Sequence, residues 1–195
     1  DDSDRLTADR VWIIDPLDGT QEYSEFDRAD WAVHIALWER KDADGKPSDE
    51  GSITQAAVAL PAYNMTLSTH QLPKTPDKHE GKPRLVVSRN RATREAVIVA
   101  EALDCDVARL GSAGAKAMAV VLGEVDIYVH AGGMYQWDSA APIAVAAAAG
   151  LFTSRIDGTP LIYNRRDAWL PDLVVCQQHL AQQVIDALRA GRLGA

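Results

Sequence analysis

The order of strands and helices that can be read along this 195-residue chain changes once, and that change restricts the architectures open to it. Before residue 70 the apolar runs give strand after strand. They are residues 32–38 (Ala-Val-His-Ile-Ala-Leu-Trp), 53–60 (Ile-Thr-Gln-Ala-Ala-Val-Ala-Leu) and 65–69, joined by a polar loop at 40–51 and the Pro61-Ala62-Tyr63-Asn64 turn. Consecutive strands with short polar connections pair as an antiparallel sheet. Residues 72–83 carry Pro73, Pro76, Gly81 and Pro83 among charges and form the best linker in the chain. Beyond it the reading is strand 85–88, helix 92–103, strand 107–110, helix 113–122, strand 125–129, helix 138–149, strand 173–176 and helix 180–190. Such alternation indicates a layered α/β unit. The expectation is a mixed α/β (α+β) chain, with an antiparallel-sheet lobe at residues 1–80 and an α/β lobe at 81–195.

The chemistry concentrates in two short stretches. Val11-Trp12-Ile13-Ile14-Asp15-Pro16-Leu17-Asp18-Gly19-Thr20 reads as four apolar residues of a buried strand, then a tight turn carrying two carboxylates. Asp15 and Asp18 can converge on one point, the Leu17 carbonyl can join them, and Gly19 and Thr20 leave backbone N–H groups free at the turn. Those are oxygen ligands for a hard divalent cation beside donors for a phosphate. Alone, the segment is equally ordinary Asp-Pro turn chemistry. Trp137-Asp138-Ser139-Ala140-Ala141-Pro142 decides between the two, because Asp138 opens an Ala-rich helix and can supply a third carboxylate. Three carboxylates near one point repel strongly unless a cation sits between them.

A phosphate monoester is anionic, so an attacking hydroxide is repelled and the alkoxide leaves poorly. Two cations roughly 3.5–4 Å apart answer both difficulties. Asp15 suits the bridging role, with the Leu17 oxygen on one cation and Asp18 plus Asp138 on the other. The Thr20 hydroxyl can hold the attacking water, or its N–H the phosphate. The expected activity is a metal-dependent phosphatase in which Asp15 and Thr20 are catalytic.

A net charge of −8 without a basic stripe argues against a nucleic-acid polymer as partner. No run of 18 apolar residues provides a membrane span. Cys105 and Cys176, without CxxC or CxxH spacing, read as two reduced, packed thiols of a cytoplasmic protein. The partner expected is a small phosphorylated molecule. The sequence opens Asp1-Asp2-Ser3 without Met and enters a strand within about a dozen residues, so a preceding segment is expected.

W-I-I-D-P-L-D-G-T together with W-D-S-A-A-P resembles the inositol monophosphatase-like superfamily of magnesium-dependent, lithium-sensitive phosphatases, over essentially the whole chain. A superficial likeness to haloacid-dehalogenase phosphatases fails on spacing, since D-P-L-D-G-T is one residue longer than D-x-D-G-T. The resemblance implies a layered α-β-α-β-α sandwich with the site at the lobe junction, two or three Mg2+ ions, and inhibition by Li+. It implies Asp15, Leu17 (carbonyl), Asp18 and Asp138 as metal ligands and Gly19 and Thr20 on the phosphate, with Asp138 also on the substrate side. A homodimer is compatible with it. It further implies a metal-ligating Glu in a G-E-E or S-E-E segment upstream of the first strand, and an acid further upstream. Nothing here matches these, since Glu22 and Glu25 follow the motif. The expectation is that N-terminal helices and part of the sheet are omitted, because an absent layer leaves an apolar sheet face uncovered. The alternative is a non-catalytic metal- or nucleotide-binding homologue.

Ser112-Ala113-Gly114-Ala115-Lys116 resembles the G-A-G-x-K or G-S-S-x-K segment of the CysQ type within that superfamily. On this resemblance Ser112 and Lys116 bind substrate, with Lys116 reaching a second phosphate; otherwise Lys116 is a solvated helix lysine. His130 stands where that type carries a substrate-side residue, or is a strand-end histidine with a satisfied ring. His34 reads as a core or sheet residue, and Tyr135 as a side chain able to stack on a base. The reaction implied is removal of the 3′-phosphate of 3′-phosphoadenosine 5′-phosphate to give AMP, in sulfur assimilation. The rival is a broad inositol monophosphate or fructose 1,6-bisphosphate phosphatase.

Overall fold

A computed structural model describes residues 3–42, 44–73 and 79–193; residues 74–78 of the linker, Pro76 among them, lie outside the described set. Strands β1 (Arg10–Asp18), β2 (Ala32–Lys41), β3 (Pro47–Leu60) and β4 (Met65–Ser68) form an antiparallel sheet in that order. The polar loop expected at 40–51 is mostly hairpin stem, with Lys41 paired to Pro47. Its residues face solvent on both sides, so no apolar alternation marks them as strand.

The first strand differs from its expectation in two ways. Its apolar residues alternate instead of being buried together. Val11 and Ile13 pack on the core, while Trp12 and Ile14 are 60% and 50% exposed. The tight turn is a β-bulge. The ladder runs from Asp15 opposite His34 to Asp18 opposite Ala32, three steps against two, and the strand continues through the motif.

The second sheet contains β5 (Arg84–Ser88), β6 (Asp106–Leu110), β7 (Ile127–His130), β9 (Phe152–Ser154) and β11 (Leu173–Cys176), ordered β6-β5-β7-β11-β9. β5 is parallel to β6 and β7, and β11 is antiparallel to β7 and β9. A two-stranded ribbon joins β8 (Met134–Tyr135) to β10 (Trp169–Leu170). The helices are α1 (Thr20–Ser24), α2 (Arg94–Ala102), α3 (Ala113–Val121), α4 (Gln136–Ala148) and α5 (Ala181–Leu193).

Helices α3 and α4 are sandwiched. One apolar cluster joins Ala36, Trp38, Val58 and Leu60 of the first sheet to Val86, Tyr128, Leu173 and Val175 of the second, through Met118, Val120, Ala140 and Val145. A helix covered on both sides is apolar over most of its surface, and the many Ala residues of α3 and α4 let both sheets approach closely. The far face of the second sheet (Leu85, Ile127, Val129, Val174) packs on Val99 of α2 and Val184 and Leu188 of α5. The layers are therefore sheet, helices, sheet, helices: a layered α/β sandwich, with four of the five expected layers among the described residues. On the outer side of the first sheet Trp12, Ile14 and Ile35 are exposed. No helix is long and apolar enough to cross a membrane among the described residues.

Candidate metal centre

Strand alternation puts Asp15 on the core side with Val11 and Ile13, and the extra residue of the bulge brings Asp18 back to that side. Both are buried. The Leu17 N–H donates to Asp15 Oδ1 (3.0 Å) and the Thr20 hydroxyl to the Leu17 carbonyl (3.2 Å), which fixes the shape of the bulge. Gly19 then turns the chain into α1 at φ +83°, where a Cβ would also lie 2.9 Å from Ser112 Cβ, so the position requires glycine.

Asp18 is aimed at the start of α3. Its Oδ2 accepts the Gly114 N–H at 2.6 Å and its Oδ1 the Ala113 N–H at 3.3 Å. Asp138 comes from α4, which begins two residues earlier than expected. Asp138 occupies the first turn and accepts the Tyr135 N–H at 2.7 Å. Oxygens of Asp15, Asp18 and Asp138 all lie within 4.8 Å of one another.

The electrostatics of this cluster call for positive charge. Burial pushes the Asp138 carboxyl up to about 6, the Tyr135 N–H opposing and Asp18 and Asp15 adding to the rise. Burial also raises Asp15, against the Leu17 N–H and with Asp18. Asp18 is the exception. Burial would raise it too, but His34, the Gly114 N–H and Lys116 together hold it below the ordinary carboxylate range. Three converging hard oxygen donors, two of them reluctant to ionise alone, fit a hard divalent cation such as Mg2+, and the Leu17 carbonyl can be a fourth.

A pH experiment tests the strain. Asp138 titrates near 6 in the fold and at about 3.9 in the unfolded chain. Through that window the folded state keeps a proton that the unfolded state has released, so stability falls as pH rises. In the metal-free protein, melting temperatures measured from pH 4 to 7 should fall for the parent relative to Asp138→Asn. Parallel profiles would show that Asp138 carries no such strain.

The other expected site residues make contacts within the protein itself. Ser112 is the N-cap of α3, its hydroxyl accepting the Ala115 N–H at 2.8 Å, and is buried. Lys116 is neither solvated nor extended toward a second phosphate. It is 3% exposed. Its ammonium turns back onto the Gly111 and Ser112 carbonyls and lies 5.4 Å from the centre of the Tyr128 ring. Its helix is wedged between two sheets, so the side chain has no solvent to reach. Burial pulls its pKa down to about 8, with Asp18, Glu22, Asp30 and Asp138 opposing. His130 ends β7 with Nε2 3.1 Å from the Gly133 carbonyl, and burial holds its pKa below the ordinary value. Tyr135 stacks on Trp137 (4.4 Å between ring centres) and meets Trp169 edge-on, leaving a half-exposed aromatic group beside Asp138.

Glu22 and Glu25 do not join the carboxylate cluster. Both face Arg89, which ties α1 to the end of β5. The sequence reading missed Gly114 and His34. A Cβ at Gly114 would lie 2.1 Å from His34 Nε2, and that nitrogen lies 3.3 Å from Asp18 Oδ2. The clue for His34 was its alternation with Ala36 and Trp38, which marks the core face. That it lands opposite Asp15 depends on the β1–β2 register.

The model of the inositol monophosphatase family matches residues 1–191. A 3′-phosphoadenosine 5′-phosphate phosphatase of Mycobacterium bovis is 49% identical over 191 residues, covering 96% of this chain and 70% of that protein. The Mycobacterium leprae protein of the same name is 47% identical over 192 residues, covering 97% and 70%. The 3′(2′),5′-bisphosphate nucleotidase CysQ of Escherichia coli K12 is 31% identical over 172 residues, covering 83% of this chain and 65% of that one. Among solved structures, the Thermotoga maritima IMPase superposes with a TM-score of 0.71 at 18% identity, over 96% of this chain and 71% of that one. CysQ from Bacteroides thetaiotaomicron gives 0.70 at 21%, over 90% and 73%. At these identities the structural matches establish the fold.

Proposed function

The chain belongs to the inositol monophosphatase family and is thereby a phosphoric monoester hydrolase, and from that premise we propose that it removes the 3′-phosphate of 3′-phosphoadenosine 5′-phosphate, giving AMP and inorganic phosphate. The observation that carries the chemistry is the convergence of Asp15, Asp18 and Asp138 within 4.8 Å. The substrate is taken from the names of the mycobacterial relatives, and no longer from Lys116.

Asp15, Asp18, Asp138 and the Leu17 carbonyl would hold two or three Mg2+ ions. Bound there, they would lower the pKa of water and offset charge on the leaving oxygen. The protein's own groups do the aligning. With its proton donated to Leu17, the Thr20 oxygen keeps lone pairs to accept a hydrogen bond from the attacking water. The Gly19–Thr20 backbone at the start of α1 faces the phosphate. Asp18, anchored by α3, and Asp138, anchored in α4, present carboxylates held by backbone N–H groups close to where a cation would bind. The upstream Glu of the family resemblance has no counterpart before Asp15 in this sequence. A cytoplasmic location accords with the unpaired cysteines.

The test is phosphate release by the full-length protein with Mg2+, from 3′-phosphoadenosine 5′-phosphate, inositol 1-phosphate and fructose 1,6-bisphosphate. The expected result is lithium-sensitive release with the nucleotide favoured by about tenfold or more in kcat/KM, a difference of about 1.4 kcal/mol. Preference for inositol 1-phosphate or the sugar bisphosphate would make the broad phosphatase the better reading. No release from any of the three would favour a non-catalytic homologue.

A further inference from the structure

His34 is fully buried, on β2, directly opposite Asp15 in the β1–β2 ladder. Its two ring nitrogens meet two different segments of the chain. Nε2 lies 3.3 Å from Asp18 Oδ2, at ion-pair distance but without an aligned hydrogen bond. Nδ1 lies 3.2 Å from the carbonyl of Trp137, the residue before Asp138. The first turn of α3 closes on the ring at Gly114, where even a methyl group would collide with Nε2. One rigid imidazole, carried by the strand partner of Asp15, therefore meets both the carboxylate of Asp18 and the backbone that leads into Asp138.

Both of its polar neighbours are acceptors, and a neutral imidazole carries one N–H to offer them, so the ring's value to the pair is its fixed span. A merely space-filling residue at this core-facing position would be apolar, like Ala36 and Trp38 along the same strand face. We propose that His34 is a positioning residue that holds Asp18 and Asp138 at the separation a divalent cation requires. This rests on reading Asp15, Asp18 and Asp138 as the metal ligands. His34 does not ligate the cation. It spans two segments that meet only in the folded chain, and sets how far apart their carboxylates stand.

The experiment uses Mn2+ alone as probe, with the full-length protein and no substrate. Free Mn2+ is followed by electron paramagnetic resonance, and folding by circular dichroism and thermal melting. His34→Phe keeps a ring of similar size without its nitrogens, and His34→Gln restores a donor toward Asp18. The expected result is that folded His34→Phe binds Mn2+ about ten- to a hundredfold more weakly than the parent, the range seen when residues orienting metal ligands are removed. His34→Gln should fall between the two. Parent-like affinity in folded His34→Phe, or a His34→Gln no better than His34→Phe, overturns the proposal. Should His34→Phe fail to fold, His34→Ala decides: imidazole added to the cavity restores Mn2+ binding and benzene does not, and equal rescue by both overturns the proposal. A parent protein that binds no Mn2+ instead overturns the metal reading on which the proposal stands.

Discussion

Asp15→Asn should lower kcat at saturating Mg2+ by about three orders of magnitude, because losing several kcal/mol of charge stabilisation at a bridging carboxylate corresponds to a factor of that size. The fold should be untouched. An amide oxygen can still accept the Leu17 N–H that shapes the bulge, at the 3.0 Å seen for the carboxylate. The side chain keeps its volume. Burial and Asp18 already push Asp15 toward its neutral form, so a neutral amide relieves repulsion, and the metal-free variant should melt no lower than the parent. Activity and melting temperature thus move independently. Near-parental turnover by a folded Asp15→Asn would end the reading of Asp15 as bridging ligand.

Lys116→Met is expected to show the opposite pattern, a large loss of stability and no change of substrate preference. The ammonium satisfies the partly buried Gly111 carbonyl and shares the Ser112 carbonyl with the helix's own Lys116 N–H. It also adds positive charge close to Asp18, Glu22 and Asp30. Removing it leaves a partly buried acceptor unpaired and the acids less compensated, about 3 kcal/mol in all. For a chain of this length that is a drop in melting temperature of about 6–12 °C. Because the ammonium faces backbone and not a ligand, kcat/KM should fall by the same factor for 3′-phosphoadenosine 5′-phosphate and for inositol 1-phosphate. A loss confined to the nucleotide would mean that Lys116 swings out to a second phosphate on binding.

The contrast between these two residues marks where sequence reading reaches its limit. The convergence of Asp15, Asp18 and Asp138 was legible because it leaves a local record, carboxylates at short spacing after an apolar strand and a third at a helix start. Strand β11 was read at its observed bounds, and α2 and α3 to within two residues, since buried elements carry long apolar runs. The bulge was misread as a turn because Asp-Pro-Leu-Asp-Gly satisfies both, and only pairing with β2 separates them. Five-residue α1 and two-residue β8 and β10 are too short for any period to show. The burial of Lys116 was misjudged because it is set by what the second sheet places over α3, which no local pattern encodes. His34 was read as a core or sheet residue and is one; only its meeting with Asp18 and the Trp137 carbonyl depends on register and packing that the local sequence does not show.

The two halves of the carboxylate cluster are separated by roughly 120 positions of chain between Asp18 and Asp138. During synthesis at about 5–20 residues per second, Asp15 and Asp18 leave the ribosome some 6–24 seconds before Asp138 follows. Through that interval the first sheet has no α4 to pack against, and its two acids have no third partner. On the proposed metal reading, cation capture would therefore be a late event in the life of each molecule, withheld until the middle layer is in place. Only a chain that has completed its interior would offer an ion all three carboxylates.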